Sequence, residues 1–156
     1  MNNNTYKILI SACLLGERVR YDAKQKKIDD PLIERWHSQG LLLPVCPEVL
    51  GGLTTPRPAA EIQINGSVKT NQDTDVTEAF QRGAEKTLAL ALKQQIKIVI
   101  LTERSPSCGS SSIYDGNFSR TIIDGQGVTT KLLRDNGILV FNQFQLEQVQ
   151  AQLDLL

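Results

Sequence analysis

The run Ile96 to Leu101, IKIVIL, most restricts what this chain can become. It is β-rich and almost unbroken in its apolar character, the pattern of a strand buried on both faces. Such a strand needs a covering layer on each side, and the residues before it supply one. Val76, Phe80, Ala84, Leu88, Ala91 and Leu92 recur at helical spacing and predict a long amphipathic helix. Asp75-Val76-Thr77-Glu78 has the spacing of a capping box at its start. A helix that delivers the chain into a buried strand is the working unit of an α/β fold.

The rest of the chain repeats that unit. Tyr6 to Ala12 and Leu41 to Cys46 read as buried strands, with Pro44 marking the second as irregular or near an edge. Between them Asp29, Asp30 and Pro31 start a helix that carries Leu32, Ile33 and Trp36 inward and stops at Gly40. Thr129 to Asn136 predicts a short helix with Gly137 just past its end, Ile138 to Phe141 a fourth strand, and Gln145 to Leu155 a closing helix. Glu61 to Thr70 alternates about Asn65-Gly66, a type I′ turn signal, and reads as an inserted hairpin outside the main sheet. Tyr114 to Gly127 is glycine-rich and shows no clear period. The expected fold is α/β: three-layer, Rossmann-like, with a mainly parallel sheet of about four core strands and an inserted β-hairpin. One domain over 1–156 suits this length, with 1–5 expected to be disordered.

Charge narrows the function classes. Seventeen Lys plus Arg balance seventeen Asp plus Glu, so the basic footprint of a protein that grips a long nucleic acid is missing. The N-terminal MNNNT lacks a basic n-region, and the apolar run after it is too short for a signal peptide or a membrane span. The reading is a cytoplasmic protein with a small ligand and no membrane partner. It sets no oligomeric state.

Three cysteines, Cys13, Cys46 and Cys108, form no C-x-x-C pair and make an odd number, which is unlike a disulfide framework. In a reducing cytosol they are thiols or metal ligands. Cys13 ends the first strand, Cys46 ends the second, and Cys108 follows the third, so all three fall on the side where parallel sheets gather ligands. The plain alternative is that each is a small buried hydrophobe. Three thiolates at one point repel unless a cation neutralises them, which leaves zinc or an iron-sulfur cluster. Structural zinc wants four ligands, and the single histidine, His37, falls at the far end of its helix. Three cysteines with an open fourth position favour a cubane cluster with one iron free. Gly51-Gly52 and the GSSS after Cys108 leave room for backbone N–H groups near sulfur, although glycine in a loop needs no cluster to explain it.

The strings SACLLGERVRYD, PVCPEVLGGLTTPRPAAEI, RSPSCGSSSIYDGNF and GQGVTTKLLRDNGI, in that order over residues 7–142, resemble the 2-thiouracil desulfurase family. The resemblance implies a 4Fe-4S cluster held by Cys13, Cys46 and Cys108, whose remaining iron takes the thiocarbonyl sulfur of a substrate. It implies a non-redox reaction: the iron polarises C=S, water adds at the ring carbon, and sulfur leaves as hydrosulfide. Some relatives carry a further C-terminal domain and act on thiolated nucleotides or RNA. This chain ends soon after the core, so the expected substrate is a small thiolated pyrimidine, 2-thiouracil or a thiouridine nucleotide.

With His37 on the wrong side, the proton carrier has to be a carboxylate, and Glu48 stands two residues after Cys46. The alternative for Glu48 is a loop carboxylate paired with Arg57. Ser105, in SPSC, is the second catalytic candidate, as a hydrogen-bond donor to substrate or water; otherwise it is a turn serine ahead of Pro106. Ser11, Asp22, Arg57 and Ser107 are candidate pocket residues. The basic run Lys24 to Lys27 is a solvated loop in its simplest reading, with contact to a substrate phosphate as the alternative. The competing functions are a non-catalytic iron-sulfur or metal-binding sensor or carrier, and a metal-free thiol redox module.

Overall fold

The computed structural model describes residues 6–156; the expectation for residues 1–5 lies outside them. β1 (Ile8–Ser11), α1 (Pro31–Ser38), β2 (Leu42–Val45) and α2 (Pro47–Leu50) come first. A hairpin of β3 (Ala60–Ile62) and β4 (Val68–Thr70) precedes α3 (Thr77–Lys93) and β5 (Ile98–Ile100). A second hairpin, β6 (Ser112–Tyr114) with β7 (Ile122–Asp124), leads to α4 (Val128–Asp135), β8 (Leu139–Phe141) and α5 (Leu146–Asp154).

The four apolar strands make one parallel sheet in the order β2-β1-β5-β8. Ile8 stands level with Leu42 on one side and Ile98 on the other, and Ile98 in turn with Leu139. Side chains alternate across the pleat, so Ile8, Ile10, Ile98 and Ile100 meet Ile33 and Trp36 of α1 and Leu146 and Val149 of α5. Leu9 and Val99 face the other way, into a core shared with Ala91 of α3 and Leu133 of α4. These are the three layers the sequence predicts. Trp36 is fully buried, and its Nε1–H donates to Gln150 Oε1 at 2.9 Å, joining the two helices of one layer.

Several local expectations hold for the reasons given. Asp30 caps α1 by accepting the Leu32 N–H at 2.8 Å, with Pro31 at the first helical position. Pro44 lies in β2, which pairs only with β1 and so is an edge strand. Gly137, at φ 79°, follows the C-cap of α4.

Others are corrected. The β3–β4 turn is not type I′: among its central residues only Gly66 has a positive φ, the Gly66 N–H bonds to Gln63 O, and the Gln63 N–H to Ser67 O. This is a three-residue loop closed by a glycine in the left-handed region. The capping box does not form, since α3 has Val76 at its N-cap and Asp75 accepts the Thr77 N–H from one position further out. Leu92 turns to solvent, and Gly83 and Thr87 take buried places on α3. The stretch Tyr114 to Gly127, read as aperiodic, holds β7, which pairs with β6 to make a hairpin whose β6 strand packs beside β3. Among the described residues no helix is long and apolar enough to cross a membrane.

From β1 the chain crosses to β2 on one side, and the later strands β5 and β8 fill the other. The connections therefore part at the carboxyl ends of β1 and β5, where such sheets leave a crevice. The Thr102 N–H donates to Ser11 Oγ at 3.0 Å across that gap.

Candidate active site

A cleft of about 610 Å³ opens at this end of the sheet, and Cys13, Cys46 and Cys108 all line it. Cys13 sits in a 3-10 turn, Ala12–Leu15, directly after β1. Cys46 is the N-cap of α2, where β2 breaks at Pro47. Cys108 is carried by the loop between β5 and β6. The two hairpins form the facing wall, with Ala60 and Glu61 from one and Tyr114 and Phe118 from the other. Glu61 ties them together by accepting the Gly116 N–H at 2.9 Å and the Phe118 N–H at 3.2 Å.

The position of Cys46 depends on how closely α2 approaches α3. A Cβ at Gly51 would collide with the Ala79 carbonyl, and one at Gly83 with the Pro47 carbonyl. Arg82 then holds the contact, donating from Nε and Nη2 to Gly51 O. The reason for glycine at position 51 is this helix contact and not proximity to sulfur.

The Cys108 loop is fixed from both sides. Glu103, 6% exposed, accepts the N–H groups of Ser110, Ser111 and Ser112, the hydroxyls of Ser110 and Ser111, and the Asn142 amide. Burial alone raises its carboxyl, but those hydrogen bonds outweigh burial and hold it at about 2. On the opposite side the first turn of α4 donates to the loop: Val128 N–H to Pro106 O, Thr129 N–H to Ser107 O, and Thr130 Oγ1 to Cys108 O.

Glu48 lines the cleft, and its Oε2 receives the Arg57 Nη2 at 2.9 Å. Arg57 is almost wholly buried and lies behind the carboxylate, outside the lining. Its other donors reach Val19 O, Thr54 O and Thr55 Oγ1, so the guanidinium cannot swing away without breaking several bonds. Glu48 is therefore paired with Arg57, as its alternative reading expects, and it also lines the cavity, with Oε1 making no hydrogen bond among the described residues.

Ser105 also lines the cleft, and its Oγ accepts the N–H groups of Ser107 and Cys108, each at 3.1 Å. With both acceptor sites engaged, the hydroxyl can act outward only as a donor. Ser11 lines the cleft, and its Oγ accepts the Thr102 N–H. Ser107 is buried behind the loop, bonded to Thr129 Oγ1 at 2.7 Å. Asp22 lies outside the lining, in a loop bonded to Lys24 N and 4.0 Å from Arg20. His37 is exposed in the last turn of α1. Sequence reasoning overlooked Glu103, Thr102 and the cations Arg20, Arg104 and Arg120 that line the cavity, and Lys26, from the run read first as a solvated loop, lines it with them. Of these cations only Arg20 has a carboxylate partner among the described residues.

The three thiols interact electrostatically. Burial pushes the Cys13 thiol up, against the pull of Thr102, Arg20 and Lys26. Cys46 is raised by burial and by Glu48, and lowered by the Val49 N–H and Arg57. Cys108 is pushed up most, by burial and then by the charges of Glu48 and Cys46. Such a set carries protons at neutral pH unless a strong cation displaces them. Among the described residues no three Cys, His, Asp or Glu side chains gather in the close set that grips a single ion. A cluster would give each thiolate its own iron, and three thiols that line one cleft, with the single histidine exposed on α1, are the donor set it needs.

Comparison with known proteins agrees with this geometry. The chain is 40% identical to the uncharacterised protein YbbK of Bacillus subtilis (strain 168), over 91% of this chain and 99% of that one. It superposes on a solved structure described as a 4Fe-4S-dependent thiouracil desulfidase, TudS, with a TM-score of 0.94 at 48% identity, covering 97% of this chain and 99% of that one. The model of the 2-thiouracil desulfurase family matches residues 8–145, and the chain belongs to that family.

Proposed function

We propose that this protein removes sulfur from a thiolated pyrimidine with a 4Fe-4S cluster held by Cys13, Cys46 and Cys108. The observation that carries the reading is the convergence of those thiols with Glu48 and Ser105 on one cleft at the topological switch point. Bound there, the cluster supplies a Lewis-acidic iron for the thiocarbonyl sulfur. The chain's own groups do the rest. Glu48, held by Arg57, takes a proton from the water that adds to the ring carbon and returns it to the departing sulfur. Ser105 donates its hydroxyl proton to the substrate or that water. The balance is C=S plus water giving C=O plus hydrogen sulfide, with no electron transferred.

Lys26, Arg104 and Arg120, unpaired among the described residues, favour a thiouridine nucleotide over the free base. The setting is the cytoplasm, where thiols stay reduced. Protein reconstituted anaerobically should hold about four irons and four sulfides per chain. It should release sulfide from a thiolated uridine nucleotide or 2-thiouracil and leave the oxo product. A full cluster with no sulfide release from any thiolated pyrimidine would make the protein a carrier or sensor, and absence of iron would end the cluster reading.

A further inference from the structure

Thr102 carries a hydroxyl whose one hydrogen bond, among the described residues, goes to a cysteine. Its Oγ1 lies 3.0 Å from Cys13 Sγ, and both residues are buried. The backbone sets that contact, because the Thr102 N–H is anchored on Ser11 Oγ across the gap between β1 and β5. In the free thiol either atom can donate. A thiolate bound to iron has no proton and can only accept, so the hydroxyl has one role left.

We propose that Thr102 is a positioning residue for the cluster: its hydroxyl donates to the Cys13 thiolate, orients that sulfur and withdraws charge from its bond to iron. This rests on the cluster reading above. Hydrogen bonds to cluster sulfurs raise the reduction potential, because a donor stabilises the more negative, reduced form. They also lower the electron density that the thiolate passes to iron, which makes the metal site a better acid toward a sulfur ligand. Cys46 is served by the backbone N–H of Val49, which no side-chain substitution removes. At Cys13 the donor is a side chain, so the effect can be isolated.

The test uses the whole reconstituted protein with two substitutions. Thr102→Val keeps the shape and deletes the hydroxyl, while Thr102→Ser keeps the hydroxyl and deletes the methyl. The readouts are iron content, the midpoint potential of the cluster and the iron–cysteinate stretching bands in resonance Raman spectra. The expected result is a more negative potential and a stiffened iron–sulfur band in Thr102→Val, with Thr102→Ser close to the parent. Loss of iron from Thr102→Val alone, with Thr102→Ser fully loaded, supports the same role. A parental potential and spectrum in a loaded Thr102→Val overturns the proposal. So does loss of iron from both variants, which makes Thr102 a packing residue. A parent protein that binds no cluster instead refutes the function proposed above.

Discussion

A carboxylate that shuttles protons must keep one oxygen free while staying in place, and Glu48 meets both conditions. Arg57 occupies Oε2, while Glu48 lines the cavity and its Oε1 has no hydrogen bond among the described residues. Glu48→Gln keeps the shape and the hydrogen-bonding outline but cannot take a proton. It should lower kcat by about 10²–10⁴-fold while iron content and the visible spectrum stay parental, as steady-state sulfide release and metal analysis would show. Ser105 should separate into two functions. Ser105→Ala removes the outward donor and also the acceptor of two N–H groups, costing about 1 kcal/mol of stability in addition to activity. Ser105→Thr retains both and should recover most of the melting temperature and part of the turnover.

At this scale the cysteines were legible because Cys13 and Cys46 end apolar runs and Cys108 stands in the loop after a third, all at one end of the sheet. Glu103 was not, since its importance comes from donors at Ser110 to Ser112 and at Asn142, 39 residues away, that only the fold assembles. The available signal was an acid directly after a buried strand, facing a run of small hydroxyl residues.

Among the elements, the loop from β5 to β6 is the one that the site can least afford to lose. Glu103 makes its stability depend on pH. The ordinary value of 4.5 falls to about 2 on folding. A carboxyl lowered in this way contributes fully above 4.5, and its contribution fades as pH falls toward 2. The size is about 3 kcal/mol. Chemical unfolding between pH 5 and pH 3 should therefore show the parent losing stability relative to Glu103→Gln, with parallel curves above pH 5. The α2–α3 contact is the second sensitive element. Gly83→Ala should cost about 1–3 kcal/mol of stability, because α2 must move away, and should lower iron retention by displacing Cys46.

α3 was readable from its helical period and β5 from its unbroken apolar run. The β6–β7 hairpin was not. Its strands are three residues each, Ile122 to Asp124 are all exposed, and Phe118 and Arg120 between them take positive φ without being glycine. A short strand exposed on both faces leaves no hydrophobic alternation to read. Its neighbour at Glu61 to Thr70 was visible through Asn65-Gly66, although the dipeptide gives the hairpin and not the turn type.

In the molecule as a whole, a net charge of zero hides an uneven distribution. Three cations without ion-pair partners among the described residues line one cavity. If a nucleotide is bound there, raising salt from about 0.05 to 0.3 M should increase its KM severalfold while the KM of an uncharged thiolated base barely moves, as parallel kinetics would reveal. Equal salt dependence for both would assign the cations to balancing the cluster instead.

The bracing of Cys108 also fixes an order of assembly. Cys13 and Cys46 directly follow the first two strands, but the loop of Cys108 is held by α4 and, through Glu103, by Asn142 just beyond β8. A chain emerging from the ribosome can therefore present two of its thiols long before the third is set. Metal loading has to wait until almost the whole chain is made, and a nascent or truncated chain lacking the segment from α4 to Asn142 should emerge colourless whatever the supply of iron.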